Sequence, residues 1–126
     1  MDRATYQDYL DAFMRGDFEG FSKYYADDVV FSLSGGKKLI HGKQGIIDFY
    51  RDVLARITER LDVTYFVSDE HGLAVEVDTV FTAKADWPDF IAGPMKKGDE
   101  LRITSWAHYT LKDGKFATIR TIRPPQ

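Results

Sequence analysis

Asp86 and Asp89 alternate with Trp87 and Phe90 in a segment that also carries Pro88, Gly93 and Pro94. A carboxylate held against aromatic walls has its charged form disfavoured and its pKa raised, which suits it to taking a proton. Solvated loop acids are the commoner outcome for such residues, and Trp87 and Phe90 can form a lid in either case. The three histidines, His41, His71 and His108, share no metal-ligand spacing, and no carboxylate completes a triad with any pair of them. No metal site is expected. His71 precedes Gly72 in a turn and is most simply solvated, whereas His41 ends a short apolar run and could reach the edge of a pocket. Imidazole titrates near neutrality, so His41 is the histidine with a claim to acid or base work.

Several chemistries are excluded outright. The chain has no cysteine, which removes disulfides, thiolate nucleophiles and thiolate-bound metals together. It has no Gly-x-Ser-x-Gly elbow, no phosphate-binding glycine loop and no dinucleotide fingerprint, so no cofactor is expected. With a formal net charge of -3 and its Lys and Arg scattered singly, it offers no basic stripe for nucleic acid. The first residues contain no apolar leader core, and no run approaches the ~18 apolar residues of a membrane span. A soluble cytoplasmic protein with no membrane partner is the expectation.

The elements that must position any site can be read from periodicity. At 126 residues, 44% apolar and 14% aromatic, the chain suits one domain over 1–126. Tyr6, Tyr9, Leu10 and Phe13 repeat on one helix face after a capping Asp2; Gly16 ends that helix and Asp17 caps a short second one with Phe18, Phe21, Tyr24 and Tyr25 inward. Strands follow at Val29 to Leu33 and Lys38 to His41, separated by a Ser34-Gly35-Gly36-Lys37 turn. Between Lys43 and Leu61 a third helix is predicted, with Ile46, Ile47, Tyr50, Val53, Leu54 and Ile57 inward and Asp48, Arg51, Asp52, Arg56 and Glu59 on the other side. The period then becomes two, giving strands at Leu61 to Val67, Leu73 to Ala85, Leu101 to Leu111 and Phe116 to Arg123, the last pair joined by an Asp113-Gly114 hairpin turn. Helices first and long strands later argue for α+β.

Tyr9-Leu10 followed by Gly16-Asp17, Tyr24-Tyr25-Ala26-Asp27-Asp28-Val29, His41-Gly42-Lys43 and Ile47-Asp48-Phe49-Tyr50 together resemble the ketosteroid-isomerase and SnoaL-like branch of the nuclear-transport-factor-2-like superfamily, over essentially the whole chain. The resemblance implies a cone-shaped, curved, mostly antiparallel sheet that encloses, with three helices, an apolar pocket. It says less about chemistry, because one fold hosts many reactions and some modules with none.

Carried over residue by residue, the resemblance puts Tyr9, Tyr25 and Tyr50, on helices one, two and three, at the positions of a hydrogen-bonded tyrosine trio that faces substrate oxygen. The proton-shuttling aspartate of ketosteroid isomerases falls at Leu33 and their second acid at Ala107, so isomerisation of ketosteroids by that mechanism is not expected. Inward-facing Ala107 carries Ile103, Ser105, Tyr109 and Leu111 with it by strand alternation, leaving Trp106 and His108 outside. The same matching turns Ala117, Ile119, Thr121 and Arg123 inward and Phe116, Thr118, Arg120 and Ile122 outward. Phe13 and Phe49 from the helices, Phe31, Leu33, Phe81, Ala107 and Tyr109 from the strands, and Trp87 and Phe90 from the loop are the expected lining for a small apolar organic ligand. Arg123, at the open end, could bind a carboxylate or phenolate, or reach water or pair with Asp86 or Asp89. Trp106 beside Ile122 on an outer face suggests a cover, most simply a second copy forming a homodimer with Trp106, His108 and Ile122 buried.

The function expected is that of a cofactor-independent isomerase, cyclase, dehydratase or lyase that moves a proton on a small apolar oxygenated molecule, with Tyr9, Tyr25 and Tyr50 stabilising developing charge and His41, Asp86 or Asp89 carrying the proton. The alternative is a non-catalytic ligand-binding or dimerisation module of the same fold.

Overall fold

The computed structural model describes residues 1–126 as three helices and one six-stranded sheet. Helix α1 (Arg3–Met14) is capped by the Asp2 carboxylate, which accepts from the Thr5 N–H at 2.8 Å. Gly16, at φ 71°, is in the left-handed region that lets the chain leave α1. Asp17 then caps α2 (Phe18–Ser22) by accepting from the Gly20 N–H at 2.9 Å. Strands β1 (Tyr25–Leu33) and β2 (Lys38–His41) flank a single 3-10 turn, Ser34–Gly36. Helix α3 (Lys43–Arg56) leads directly into β3 (Ile57–Ser68), followed by β4 (Gly72–Ala83), β5 (Glu100–Lys112) and β6 (Lys115–Ile122).

The strand order is β2-β1-β6-β5-β4-β3, antiparallel throughout except for the parallel β1–β6 pair, and the sheet is curved and unclosed. Register shifts between Val63 and Tyr65, Thr110 and Leu111, and Tyr25 and Val30 supply local bends. At Gly72 a Cβ would lie 2.1 Å from the Tyr109 carbonyl oxygen, so only glycine allows β4 and β5 this approach. The helices cover one face of the sheet, and the core between them holds Tyr6, Phe21, Tyr25, Ile46, Ile57, Phe116 and Ile119, each at most 1% exposed.

Three expectations need correction. Tyr25 opens β1 instead of closing α2. Phe116 faces inward: the shift opposite Thr110 and Leu111 leaves Ala117 as the extra residue, so Phe116 joins Ile119 on the inner face. Helix α3 ends at Arg56, because Ile57 is already extended at φ -135° and ψ 162°. The helix-period residues Ile57 to Arg60 are therefore strand. From Ile57 onward the inward set is Ile57, Glu59, Leu61 and Val63, with Thr58, Arg60 and Asp62 outside. Glu59 thereby moves from a solvated helix face to the inside of the sheet.

Candidate functional site

The inner face of the sheet and the helices enclose a cavity in two adjoining compartments. The outer one, about 420 Å³, lies within the size range of small-molecule sites and is lined by residues including Lys37, Phe49, Phe90, Ile103 and Arg123. The inner one, about 150 Å³, is lined by residues including Tyr6, Tyr9, Phe13, Phe31, Ala107 and Tyr109. Leu33, Tyr50, Glu59, Phe81, Ser105 and Thr121 line both and so form the waist between them.

Glu59 is the only acid on either wall. It pairs across the strands with Phe81, and its inward neighbours along β3 are Ile57 and Leu61. Burial among these apolar groups pushes its carboxyl from the ordinary 4.5 up to about 8, with no cation or hydrogen-bond donor to hold it down. At pH 7 the protonated form therefore predominates. No buried side-chain polar atom in the chain lacks a partner. A half-buried carboxyl without a protein hydrogen bond must then keep its accessible surface toward the cavity.

The tyrosines form two pairs and a single. The Tyr9 and Tyr25 hydroxyls are 2.8 Å apart, and those of Tyr6 and Tyr109 are 2.7 Å apart. Tyr50 belongs to neither pair. Its ring meets Phe13 edge-on at 4.8 Å and Phe49 at 5.0 Å, while its hydroxyl has no side-chain partner and faces the waist that it shares with Glu59. Burial raises the pKa of Tyr50 well above the usual phenol value, and the Glu59 carboxylate adds to the shift. Tyr6, Tyr9 and Tyr25 are raised likewise, first by burial, and Tyr109 is pushed to about 12. All five phenols are neutral near pH 7, which makes them donors rather than bases.

The residues expected from sequence divide clearly. Phe13, Phe31, Ala107 and Tyr109 line the inner compartment, Leu33 and Phe81 the waist, and Phe49, Phe90 and Arg123 the outer one. Trp87 lines neither; its ring packs against Phe90 at 4.7 Å, tilted by 32°, and takes the Arg56 guanidinium at 4.1 Å, so it backs the wall from outside. The expected tyrosine trio is not one network, and Tyr25, fully buried, lines no compartment. His41, Asp86 and Asp89 are exposed and stand off the cavity walls. Asp86 accepts from the Lys97 N–H at 2.8 Å as an ordinary loop acid, which removes the enclosed carboxylate expected there. Arg123 reaches neither Asp86 nor Asp89 and donates to the Ala92 carbonyl oxygen at 3.5 Å. The residue missed was Glu59. Its signal was the polar row Thr58, Arg60, Asp62, which already alternates and leaves Glu59 as the one charged residue in the apolar phase.

On the opposite face of the sheet, Tyr65, Glu76, Trp106 and Ile122 form one cross-strand row over β3, β4, β5 and β6. The Trp106 indole N–H donates to Glu76 at 3.0 Å, and the Thr64 hydroxyl donates to its other oxygen at 2.9 Å. Tyr65 is 60% exposed, and Trp106 and Ile122 are 46% exposed each.

The model of the SnoaL-like domain matches residues 6–119. Among solved structures, a candidate polyketide cyclase from Pseudomonas putida is similar at 23% identity and a TM-score of 0.78, over 91% of this chain and 85% of that one. A candidate polyketide cyclase from Xanthomonas campestris shares 18% identity at a TM-score of 0.77, over 92% and 84%. An LEH-like epoxide hydrolase from M. tuberculosis shares 14% at 0.74, over 93% and 77%. At these identities the likeness establishes the nuclear-transport-factor-2-like fold. No curated protein sequence matches the chain.

Proposed function

The chain belongs to the SnoaL-like domain family, and on that premise we propose that it is a cofactor-independent enzyme that moves a proton on a small apolar oxygenated molecule, with Glu59 as the proton carrier. The observation that carries this reading is the single carboxyl at the cavity waist, held at a pKa of about 8 by burial alone. A base of that strength is far better at taking a proton from carbon than a solvated carboxylate, and its protonated form is a competent acid at neutral pH. In one turnover the ionised Glu59 takes a proton from a carbon beside a carbonyl, and the electron pair moves onto the carbonyl oxygen. The Tyr50 hydroxyl donates to that oxygen as charge develops. Glu59 then returns the proton to another atom of the same molecule, or to a leaving oxygen. The apolar walls exclude water while this happens. Whether the outcome is isomerisation, cyclisation or elimination depends on the substrate.

The alternative, a non-catalytic binding module, has less support. It calls for a cavity without a titratable group near the tyrosines, and the carboxylate of Glu59 acts on both Tyr50 and Tyr9. For the outer sheet face the proposed partner is a second copy of the chain, because the row from Tyr65 to Ile122 leaves two large apolar side chains and a tyrosine half in water.

The test is a generic proton-abstraction probe, 5-nitrobenzisoxazole, whose ring opens when a base takes its C–H proton and the N–O bond breaks to release a cyanophenolate. The expected rate exceeds that of free carboxylate, rises with pH to a plateau above about 8, and vanishes in Glu59→Gln. An undiminished rate in the folded Glu59→Gln variant would overturn the assignment.

A further inference from the structure

The rim of the outer compartment carries a charge pattern that the proton-transfer reading does not use. Lys37 and Arg123 are its only cations, and apart from Glu59, deep at the waist, no acid lines it. Two separate elements bring them there. Lys37 follows the Ser34–Gly36 turn, and Arg123 follows the end of β6. Turn and strand end adjoin, since a Cβ on Gly35 would sit 4.0 Å from Ile122 Cγ2. Neither cation takes part in an ion pair, as is true of most Lys and Arg in this chain, so both charges are free to meet a ligand. Arg123 spends one N–H on the Ala92 carbonyl at a long 3.5 Å and keeps the rest of its guanidinium fork open. The surrounding wall is apolar: Phe49, Phe90, Ile91 and Ile103.

In a protein of net charge -3, a cavity mouth that presents two unpaired cations over an apolar shaft is a local inversion of the overall charge. Such a mouth concentrates anions and orients them, because low-dielectric walls focus the field. The shaft beneath has no cation to receive an anionic group, so the part of the molecule that goes down it is uncharged.

We propose that Lys37 and Arg123 form an anion-recognising rim, and that the molecule this cavity takes is an amphipathic carboxylic acid, its carboxylate held at the rim and its apolar body directed past Phe90 and Phe81 toward Glu59. The assignment deepens the proton-transfer reading by naming the substrate class, and it depends on that reading only in taking this cavity as the substrate's place. It also gives the acid an orientation: the carboxylate stays at the wet end, and the carbon that reacts is one further along the chain.

The experiment compares 1-naphthylacetate with its primary amide, 1-naphthylacetamide, by calorimetric titration at pH 7 and low salt. The two probes match in shape and differ in charge. The expected result is that the acid binds about fivefold more tightly, the size of two partly solvated charge contacts. High salt and Lys37→Gln/Arg123→Gln should each bring the two affinities within about twofold of one another, mainly by weakening the acid. Both side chains are exposed, so the double variant should unfold at the wild-type midpoint. Amide binding as tight as acid, or an acid preference that survives the double substitution, would overturn the proposal while leaving the Glu59 kinetics intact. Failure of both probes to bind would overturn it along with the cavity as the binding place. No 5-nitrobenzisoxazole reaction in the wild-type protein, with the acid preference present, would instead remove the proton-transfer reading and leave the rim standing.

Discussion

Glu59 stands directly opposite Phe81 in the antiparallel register of β3 and β4, and the Phe81 ring meets Phe90 at 5.3 Å. One strand pairing thus places the cavity's only carboxyl beside an aromatic wall, with the loop after β4 closing over it. The raised pKa follows from that wall and from the absence of any cation within reach. It requires no second acid.

The first prediction is kinetic. Glu59→Gln keeps the side chain's volume and removes the proposed proton carrier, so turnover of a true substrate should fall by about 10²- to 10⁴-fold, with little change in substrate affinity. Steady-state kinetics that separate kcat from KM decide it.

The second concerns stability against pH. The folded pKa of Glu59, about 8, lies above its unfolded value near 4.5, so between these limits the native state binds more protons than the unfolded chain. Its contribution is greatest below pH 4.5, falls as pH rises, and levels off above about 8. The total is on the order of a few kcal/mol. Urea denaturation at pH 5 and pH 9 should show a clear loss in the wild type and a markedly smaller one in Glu59→Gln.

A third separates the tyrosines. Tyr50 faces the waist without a protein partner, so Tyr50→Phe should lower kcat by about tenfold or more and leave stability nearly unchanged. Tyr9→Phe strands the fully buried Tyr25 hydroxyl, at a cost of about 1–3 kcal/mol in stability. Parallel denaturation and rate measurements on the two variants should give opposite profiles; a larger kcat loss in Tyr9→Phe would reverse the roles.

The fourth addresses assembly. If a second copy covers the outer sheet face, sedimentation at micromolar protein should show a dimer. Trp106→Glu should dissociate it, since it removes the indole from the centre of the row and sets a carboxylate against Glu76. Monomer alone in the wild type would count against the interface.

Much of this architecture was legible in the residues. Asp2 and Asp17 announced two helix starts, the Asp113-Gly114 pair announced a hairpin, and the period-two runs announced the long strands. Local chemistry governs these features, because capping, turn conformation and alternation act over a few neighbours. The motif residues from Tyr9 to Tyr50 likewise sufficed for the family. Phe13, Phe31, Leu33, Phe81, Phe90 and Tyr109 all stand on the cavity wall.

The catalytic candidate was decided only in three dimensions. Ile57 and Leu61 satisfy a helix period as well as a strand period, so sequence spacing alone carries α3 on to Leu61, past its end at Arg56. Pairing with β4, from Ile57 opposite Ala83 onward, resolved the choice and turned Glu59 inward. Tertiary register decided Phe116 in the same way, through one bulge. A one-residue change of phase moves every later side chain to the other face, and the energy that selects the phase comes from strands far away in sequence. Capping, turn chemistry and spacing therefore determined which elements exist, while the one carboxyl on the cavity wall was determined by which strand lay beside which.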